Sequence, residues 1–411
     1  MRTLLRSKKG SYTVFIALAF SAILIMVIAV INAAGQQAIG STAQHFGRLW
    51  GRSILAEYDR TLKDRYGLFG FYGNAFLAEE KLDFYAGYSF DEKDYIKYSG
   101  SKCSLKGRAL TEQEVFKNQL KEITAAGVKP HPLTKKSEQD TDSAVSPKDR
   151  TINSQRIIQS LPSKGRSGGP GVSGLIELIK DGTPISSLIS ETAQNIYAFK
   201  FFRHRLSGEE LGGTFFNSEI EYIISGKASD EKAGKSVEND LILLRNGMNL
   251  VYLYSSEEKR TAVAAAAQAA TPGPAAAVTE ALIMETWAYL EAKNDLKILI
   301  DNKPVRFMKY DENWAVSLEN VINMLFGEEE AEDENTGYIR PKQMEGMKYE
   351  DYLRILVGIV PEETRILRMM DIIQINMKYL YCGGFLLEDY YTGLDFTFRV
   401  NGRNYEFHED Y

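Results

Sequence analysis

The chain predicts a predominantly helical α+β fold, begun by a long transmembrane and amphipathic helix and ended by a β-hairpin. Three observations predict it. Residues Tyr12–Ala34 form an uncharged, almost unbroken apolar run; apolar residues recur at helical spacing through most of the 411 residues; and Asn401-Gly402 divides two alternating segments near the end.

The apolar run contains Thr13, Ser21 and Asn32 as its appreciably polar members. At about 1.5 Å per residue a helix of this length crosses a hydrocarbon core of roughly 30 Å. Arg2, Arg6, Lys8 and Lys9 precede it, and the next Lys or Arg is Arg48. That asymmetry predicts a cytoplasmic leader over 1–10, a membrane helix over 11–34, and an extracytoplasmic remainder. A cleaved secretory signal carries a shorter apolar region and a small-x-small site. Asn32-Ala33-Ala34 places Asn where a small residue is wanted.

Beyond the anchor, Phe46, Trp50, Ile54, Tyr58 and Leu62 recur every four residues, with Gly67 as a C-terminal cap. A helix over about 12–66 is expected, bent near Gly35–Gly40 because glycine disfavours a helix interior. Segments LFGFYGN, LDFYAGYSF and DYIKYSG within 68–107 read as short strands and turns. Thr111 and Glu114 form a capping box ahead of Phe116, Leu120 and Ile123, with a stop at Gly127. Residues 35–128 are thus the helix extension and the first part of the ectodomain.

Over 129–174 Pro, Ser, Lys, Asp and Gly replace apolar residues, which predicts a flexible linker or insertion. Ile157-Ile158 to Leu161-Pro162 forms an island within it that can dock or turn. Residues 175–411 then read as a mainly helical ectodomain. Leu175–Lys180 and Pro184–Phe202 are predicted helices, and Ile220, Tyr222 and Ile224 alternate like a strand. Asp230 is placed to cap a helix carrying Val237, Leu241, Leu244, Met248 and Val251.

The Ala-rich stretch 261–281 is interrupted by Thr271-Pro272-Gly273-Pro274, which predicts two closely packed helices joined by a turn. After an extended stretch beyond Pro304, Trp314–Phe326 reads as a helix. Glu328–Glu334, with six carboxylates in seven residues, lacks the spacing of a calcium loop and reads as solvated. Tyr349–Val360 and Glu362–Leu380 form a helical hairpin hinged at Pro361. Phe396–Val400 and Arg403–Phe407 flank Asn401-Gly402, the type I′ turn pair.

With 44% hydrophobic and 25% charged residues, the ectodomain should fold as a globular protein. A net charge of −6 and no Lys/Arg-rich run outside the leader argue against nucleic-acid binding. Cys103 and Cys382 are a candidate disulfide outside the membrane.

Catalytic patterns fail on context. Gly165-Arg-Ser167-Gly-Gly169 lacks the strand that a nucleophile elbow needs, and Gly169-Pro-Gly171-Val-Ser-Gly174 lacks the strand of a dinucleotide turn. His45, His131, His204 and His408 show no metal spacing. Glu291 and Asp295, four residues apart, could form an acid/base pair, although such carboxylates more often pair with a cation such as Lys293 or Lys297 at a solvent edge. Glu285 lies on the same apolar segment. No enzyme activity, metal or cofactor is expected.

The leader Lys8-Lys9-Gly10-Ser11, followed directly by the apolar helix, resembles that of type IV pilins and of TadE/TadG-like proteins of tight-adherence pili. That resemblance implies cutting after Gly10, so that Ser11 becomes the first residue. The family usually carries Glu at the fifth position after the cut, where Phe15 stands here. Five further segments, AEYDRTLKDRYGLFGF, ISGKASDEKA with LLRNGMNLVYLY, ETWAYLEAKNDLKILIDNKPV, MKYEDYLRILVGIV and MMDIIQINM, add to it. Together they resemble an uncharacterised family of single-pass bacterial proteins, found mainly in Gram-positive genomes and often beside tight-adherence pilus genes. The resemblance implies a pilin-like or pseudopilin-like structural or assembly component of a tight-adherence pilus or secretion apparatus. Its partners would be membrane lipid and, through the N-terminal helix, assembly proteins. The alternative is a stand-alone membrane-anchored protein that binds an extracytoplasmic ligand or the cell wall.

Overall fold

The computed structural model describes residues 9–91, 93–131, 151–152, 155–166, 168, 171–181, 184, 192–208, 213–327 and 337–411. In chain order its elements are α1 (Lys9–Leu55), α2 (Arg60–Tyr66), β1 (Phe71–Tyr72), α3 (Ala75–Phe90), β2 (Tyr98–Ser104), α4 (Gln113–Ala125), α5 (Gln155–Ser160), α6 (Val172–Lys180), α7 (Ala193–Phe201), α8 (Glu219–Ser225), α9 (Asp230–Ser255), α10 (Glu257–Ala270), α11 (Ala276–Ile300), α12 (Leu318–Phe326), α13 (Tyr349–Ile359), α14 (Glu362–Leu380), β3 (Tyr390–Tyr391), β4 (Gly393–Val400) and β5 (Arg403–Asp410). The fold is α+β and predominantly helical, as the periodicity predicts. The chain divides into two compact units: Met1–Tyr58 with Gly70–Ala109 and Asp389–Tyr411, and Asp59–Phe69 with Leu110–Glu388.

In the first unit, α1 is a single uninterrupted helix, and its apolar segment is long enough to cross a membrane. Side chains 12–38 are exposed, and packing begins at Ile39 and Ala43. The expected bend at Gly35–Gly40 is not a break. The helix stops instead at Leu55, because Asp59 starts a new one: its carboxylate accepts the Leu62 amide at 2.9 Å. Gly47 and Gly51 belong to a close approach rather than to flexibility. A Cβ on Gly47 would overlap the Phe407 ring, and one on Gly51 would crowd Phe396 and Glu409.

The partner of α1 is the antiparallel sheet β2-β4-β5. Its inward residues Leu394, Phe396, Phe398, Val400 and Phe407 join Trp50, Ile54, Leu82, Ala86 and Phe90 in one core. Trp50 centres it, 4.9 Å from Phe398 and 5.4 Å from Phe90, with its Nε1 donating to Ser89 Oγ at 2.9 Å. The hairpin turn follows the sequence prediction, with Asn401 at φ 47° and Gly402 at φ 83°.

Residues 75–90 correct the expectation of strands over 68–107. Asn74 caps a helix by accepting the Leu77 amide at 2.9 Å, and Ala78, Leu82, Ala86 and Phe90 bury one face at four-residue spacing. The exposed Phe76, Phe84 and Tyr88 mimic strand composition without strand pairing.

The second unit is helical. Phe116, Leu120 and Ile123 of α4 are buried as predicted, but the helix begins one residue later than a Thr111 capping box requires. Glu112 is the N-cap and makes no side-chain cap bond. Ile220–Ile224 is helix, not strand, because both sides of α8 are buried and the helical period leaves no polar stripe. Ser229, not Asp230, caps α9, while the Asp230 carboxylate accepts the amides of Asn217 and Ser218. In the stretch predicted helical from Trp314, helix starts only at Leu318, where Ser317 supplies the cap. The Ala-rich pair is realised as α10 and α11, packed around Val263, Ala267, Ile283, Met284 and Trp287. The helical hairpin at Pro361 is realised as α13 and α14. The island from Ile157 to Pro162 docks through Leu161, and just beyond it Ser163 donates its amide to Asp371 Oδ1 at 2.9 Å. Much of 129–174 and all of 328–334 lie outside the described residues.

Candidate functional site

The strongest concentration of chemistry-bearing side chains in the second unit surrounds the α11 carboxylates singled out from the sequence. Glu291 and Asp295 share a face of α11 and both are fully buried. Their cations are not Lys293 or Lys297 at a solvent edge. Lys309 bonds Glu291 and approaches Asp295 Oδ1 at 2.6 Å, and Arg245 of α9 places Nε 3.0 Å from Asp295 Oδ2. Two cations therefore face two anions in a sealed interior.

Every side of this quartet is occupied by protein. Arg245 Nη1 donates to the Phe307 carbonyl at 2.6 Å and to Tyr352 Oη at 3.2 Å, and Nη2 donates to Asn249 Oδ1 at 3.1 Å. Asn249 Nδ2 in turn donates to the Ala288 carbonyl. Glu291 accepts the backbone amides of Ala315 and Val316. Burial pushes the Glu291 carboxyl upward and Asp295 adds to this, while Lys309 pulls it down; the net displacement is upward. Proton exchange with a substrate needs access, and these side chains have none. The arrangement holds α9, α11 and the 305–316 segment in one register. The sequence reading missed Arg245 and Asn249, although an i, i+4 polar pair inside an apolar stripe is the signal that marks them, whereas Lys309, distant in sequence, carries no local signal.

A second buried group in this unit centres on Glu219. It accepts the Arg203 amide at 2.8 Å and Asn376 Nδ2 at 2.6 Å, and Asn376 also donates to Tyr66 Oη. Burial pushes the Glu219 carboxyl up to about 7, against the opposing charge of Arg65. A third group joins Asp371, Tyr222 and Arg368, where burial raises the Asp371 carboxyl to about 6. Glu285 is different: it is exposed and accepts from Asn246.

In the first unit a shallow surface depression of 210 Å³ lies on the sheet, lined by residues that include Lys102, Cys103, Asp395, Glu406 and His408. Asp395 accepts from Arg108 and pairs with His408 Nδ1, each at 2.8 Å. Burial pushes its carboxyl up, but His408 and Arg108 outweigh this and hold it below the usual range. Ser104, Asp395 and His408 are cross-strand neighbours, with Asp395 in the middle. That order puts the carboxylate, not the imidazole, beside the hydroxyl, which is the wrong sequence for a nucleophilic relay.

The remaining predicted positions are dispersed. Gly10 and Ser11 belong to the first turn of α1. Cys103 and Cys382 are both free thiols; burial, with Glu79 and Asp395, pushes Cys103 up to about 12, where it is a poor nucleophile. Ser167, Gly169 and Pro170 of the glycine-rich patterns lie outside the described residues, and Gly171 is the N-cap of α6. His45 and His131 are exposed, and His204 lies 3.7 Å from Glu350. Among the described residues no three His, Cys, Asp or Glu side chains converge as metal ligands.

No curated protein and no solved structure matches the chain. The model of a family of unknown function, DUF5702, matches residues 129–402, more than half of the sequence, and the chain belongs to that family.

Proposed function

We propose that the protein is a membrane-anchored, pilin-like or pseudopilin-like component of a tight-adherence pilus or secretion apparatus, with its folded units outside the cytoplasm. The carrying observation is the division of labour along α1. Side chains 12–38 are exposed, while the same helix from Ile39 to Leu55 packs against a sheet. An apolar rod continuous with a folded unit can pack laterally against other anchor helices and transmit that packing to the exterior. The basic leader ending in Lys8-Lys9-Gly10-Ser11 supports the same reading, as does the steep loss of cations after it.

Mass spectrometry of the native N-terminus tests this. A mature chain beginning at Ser11, and reverting to Met1 when the prepilin peptidase is deleted, is the expected result. An intact Met1 in cells that hold an active peptidase, or a cut near Ala34, would remove the pilin-like reading. External protease on intact spheroplasts tests orientation: residues beyond 35 should be digested without lysis.

A further inference from the structure

The C-terminal hairpin runs alongside α1, and its tip ends where the apolar segment ends. Arg403 donates from Nη2 to Gln36 Oε1 at 2.6 Å; Tyr405 faces Gly40; Phe407 faces Gly47; Glu409 faces Gly51; and Tyr411 Oη donates to the Leu55 carbonyl at 2.5 Å. The two rulers agree. Eight strand steps of about 3.3 Å give roughly 26 Å, and nineteen helix steps of about 1.5 Å give roughly 28 Å. Asn401 and Gly402 therefore extend about 3–6 Å beyond Gln36, to the level of Asn32–Ala34, the last turn of the apolar run.

The tip does not arrive alone. Asn401 Nδ2 donates to the Tyr95 carbonyl at 2.8 Å, its Oδ1 accepts the Lys97 amide at 2.7 Å, and its own amide donates to the Lys97 carbonyl at 2.9 Å. These bonds bring the 94–97 loop to the same level. The combined end presents Lys97, Arg399 and Arg403, all exposed, and the Tyr95 ring, 63% exposed. Asp94 is the acidic side chain of that loop among the described residues, and Asp91 follows Phe90, which packs 5.7 Å from Phe46, farther from the tip. Cationic side chains beside an amphipathic ring, held at the end of a membrane helix, match the chemistry of the phospholipid headgroup layer.

We propose that this end of the first unit, Tyr95, Lys97, Arg399, Asn401 and Arg403, rests in the anionic headgroup layer of the bilayer that α1 crosses. The inference relies on α1 being the anchor. It adds that the unit is held against the membrane surface rather than raised above it.

The test uses the full chain in vesicles of phosphatidylcholine and phosphatidylglycerol at a ratio of about 7:3. In a C103S/C382S background, nitroxides are attached at N404C beside the tip and at K106C beyond the other end of β2. Power-saturation resonance then compares oxygen with a water-soluble nickel chelate. The expected result is at least a three-fold loss of nickel accessibility at 404 relative to 106, reversed in an R399E/R403E variant. Equal accessibility at the two positions overturns the proposal, and an unchanged value in the charge-reversed variant overturns its cationic part. Flotation separates this from the anchor reading. A chain that floats with vesicles but leaves 404 in water refutes the headgroup contact alone, whereas a chain that does not float refutes both.

Discussion

The two units bury different chemistry. In the first, the buried side chains are aliphatic and aromatic almost throughout, and Thr392 is its buried polar exception among the described residues. In the second, Arg65, Arg245, Arg368, Glu219, Glu221, Glu291, Asp295, Lys309 and Asp371 are all buried. The first is defined by shape, with rings stacked against glycines on a helix. The second is defined by neutralised charge, with helices that share no sheet locked by ion pairs and shared amides. Apolar packing tolerates a small misfit at graded expense, whereas an unmatched buried charge has no graded alternative. The two units should therefore fail in different ways.

The largest expected effect comes from unbalancing the quartet. Lys309→Met leaves Glu291 and Asp295 facing one guanidinium, and stability should fall by about 3–5 kcal/mol. Urea unfolding of the detergent-solubilised chain measures this, with exchange of α9 and α11 amides locating the loss. Adding Glu291→Gln, which keeps an acceptor for the Ala315 and Val316 amides, should restore more than half of it. A double variant as unstable as Lys309→Met would show that lost packing, not charge, dominates.

Next is pH. Glu219 sits at about 7 in the folded chain, against roughly 4.3 when unfolded. Between these values the folded state keeps a proton that the unfolded state has released, so stability falls as pH rises through that window. For a shift of this size the loss is about 4 kcal/mol, and Asp371, raised to about 6, acts in the same direction. Glu219→Gln should flatten the slope of stability between pH 5 and 7, and an unaltered slope would assign it to other groups. Glu350 has the opposite sign. The His204 ring 3.7 Å away, with Arg354 assisting against partial burial, holds it down to about 2, so its contribution is lost as pH falls below about 4.

In the first unit the sharper test is steric. Gly47→Ala gains about 1 kcal/mol of helix propensity but drives a methyl into the Phe407 ring, with overpacking of about 1–3 kcal/mol. A net loss near 1 kcal/mol is expected in thermal unfolding. Gly35→Ala, where a Cβ meets nothing within 4 Å, should be neutral or stabilising. If both behave alike, the close approach of helix and hairpin is not what selects glycine at 47.

These contrasts also explain what could be read from the chain. Features written in local chemistry were legible: the uncharged run before Gln36, Asn401-Gly402, Pro361 between two helices, and the proline-broken Ala-rich pair. Elements whose period is masked were not. Helix α8 is buried on all sides, so Ile220, Tyr222 and Ile224 alternate without meaning, and Phe76, Phe84 and Tyr88 of α3 point outward where a strand-like composition misleads. The α11 carboxylates were visible as an i, i+4 pair, but their character depended on Lys309 and Arg245, which tertiary folding alone brings to them.

The smallest effect separates turn geometry from turn chemistry at Asn401. This residue adopts φ 47° and also ties the 94–97 loop through its amide side chain. Asn401→Gly keeps the left-handed conformation while deleting the side-chain bonds, whereas Asn401→Ala loses both. The alanine variant should be less stable by about 1–2 kcal/mol, the glycine variant by roughly half as much, in line with about 1 kcal/mol for a net hydrogen bond. Amide exchange at Lys97 should rise in both, since its partner is gone in both, while exchange along β4 and β5 should rise in the alanine variant alone. Faster strand exchange in the glycine variant as well would mean that the side chain, not the backbone angle, sets the register of the hairpin against α1.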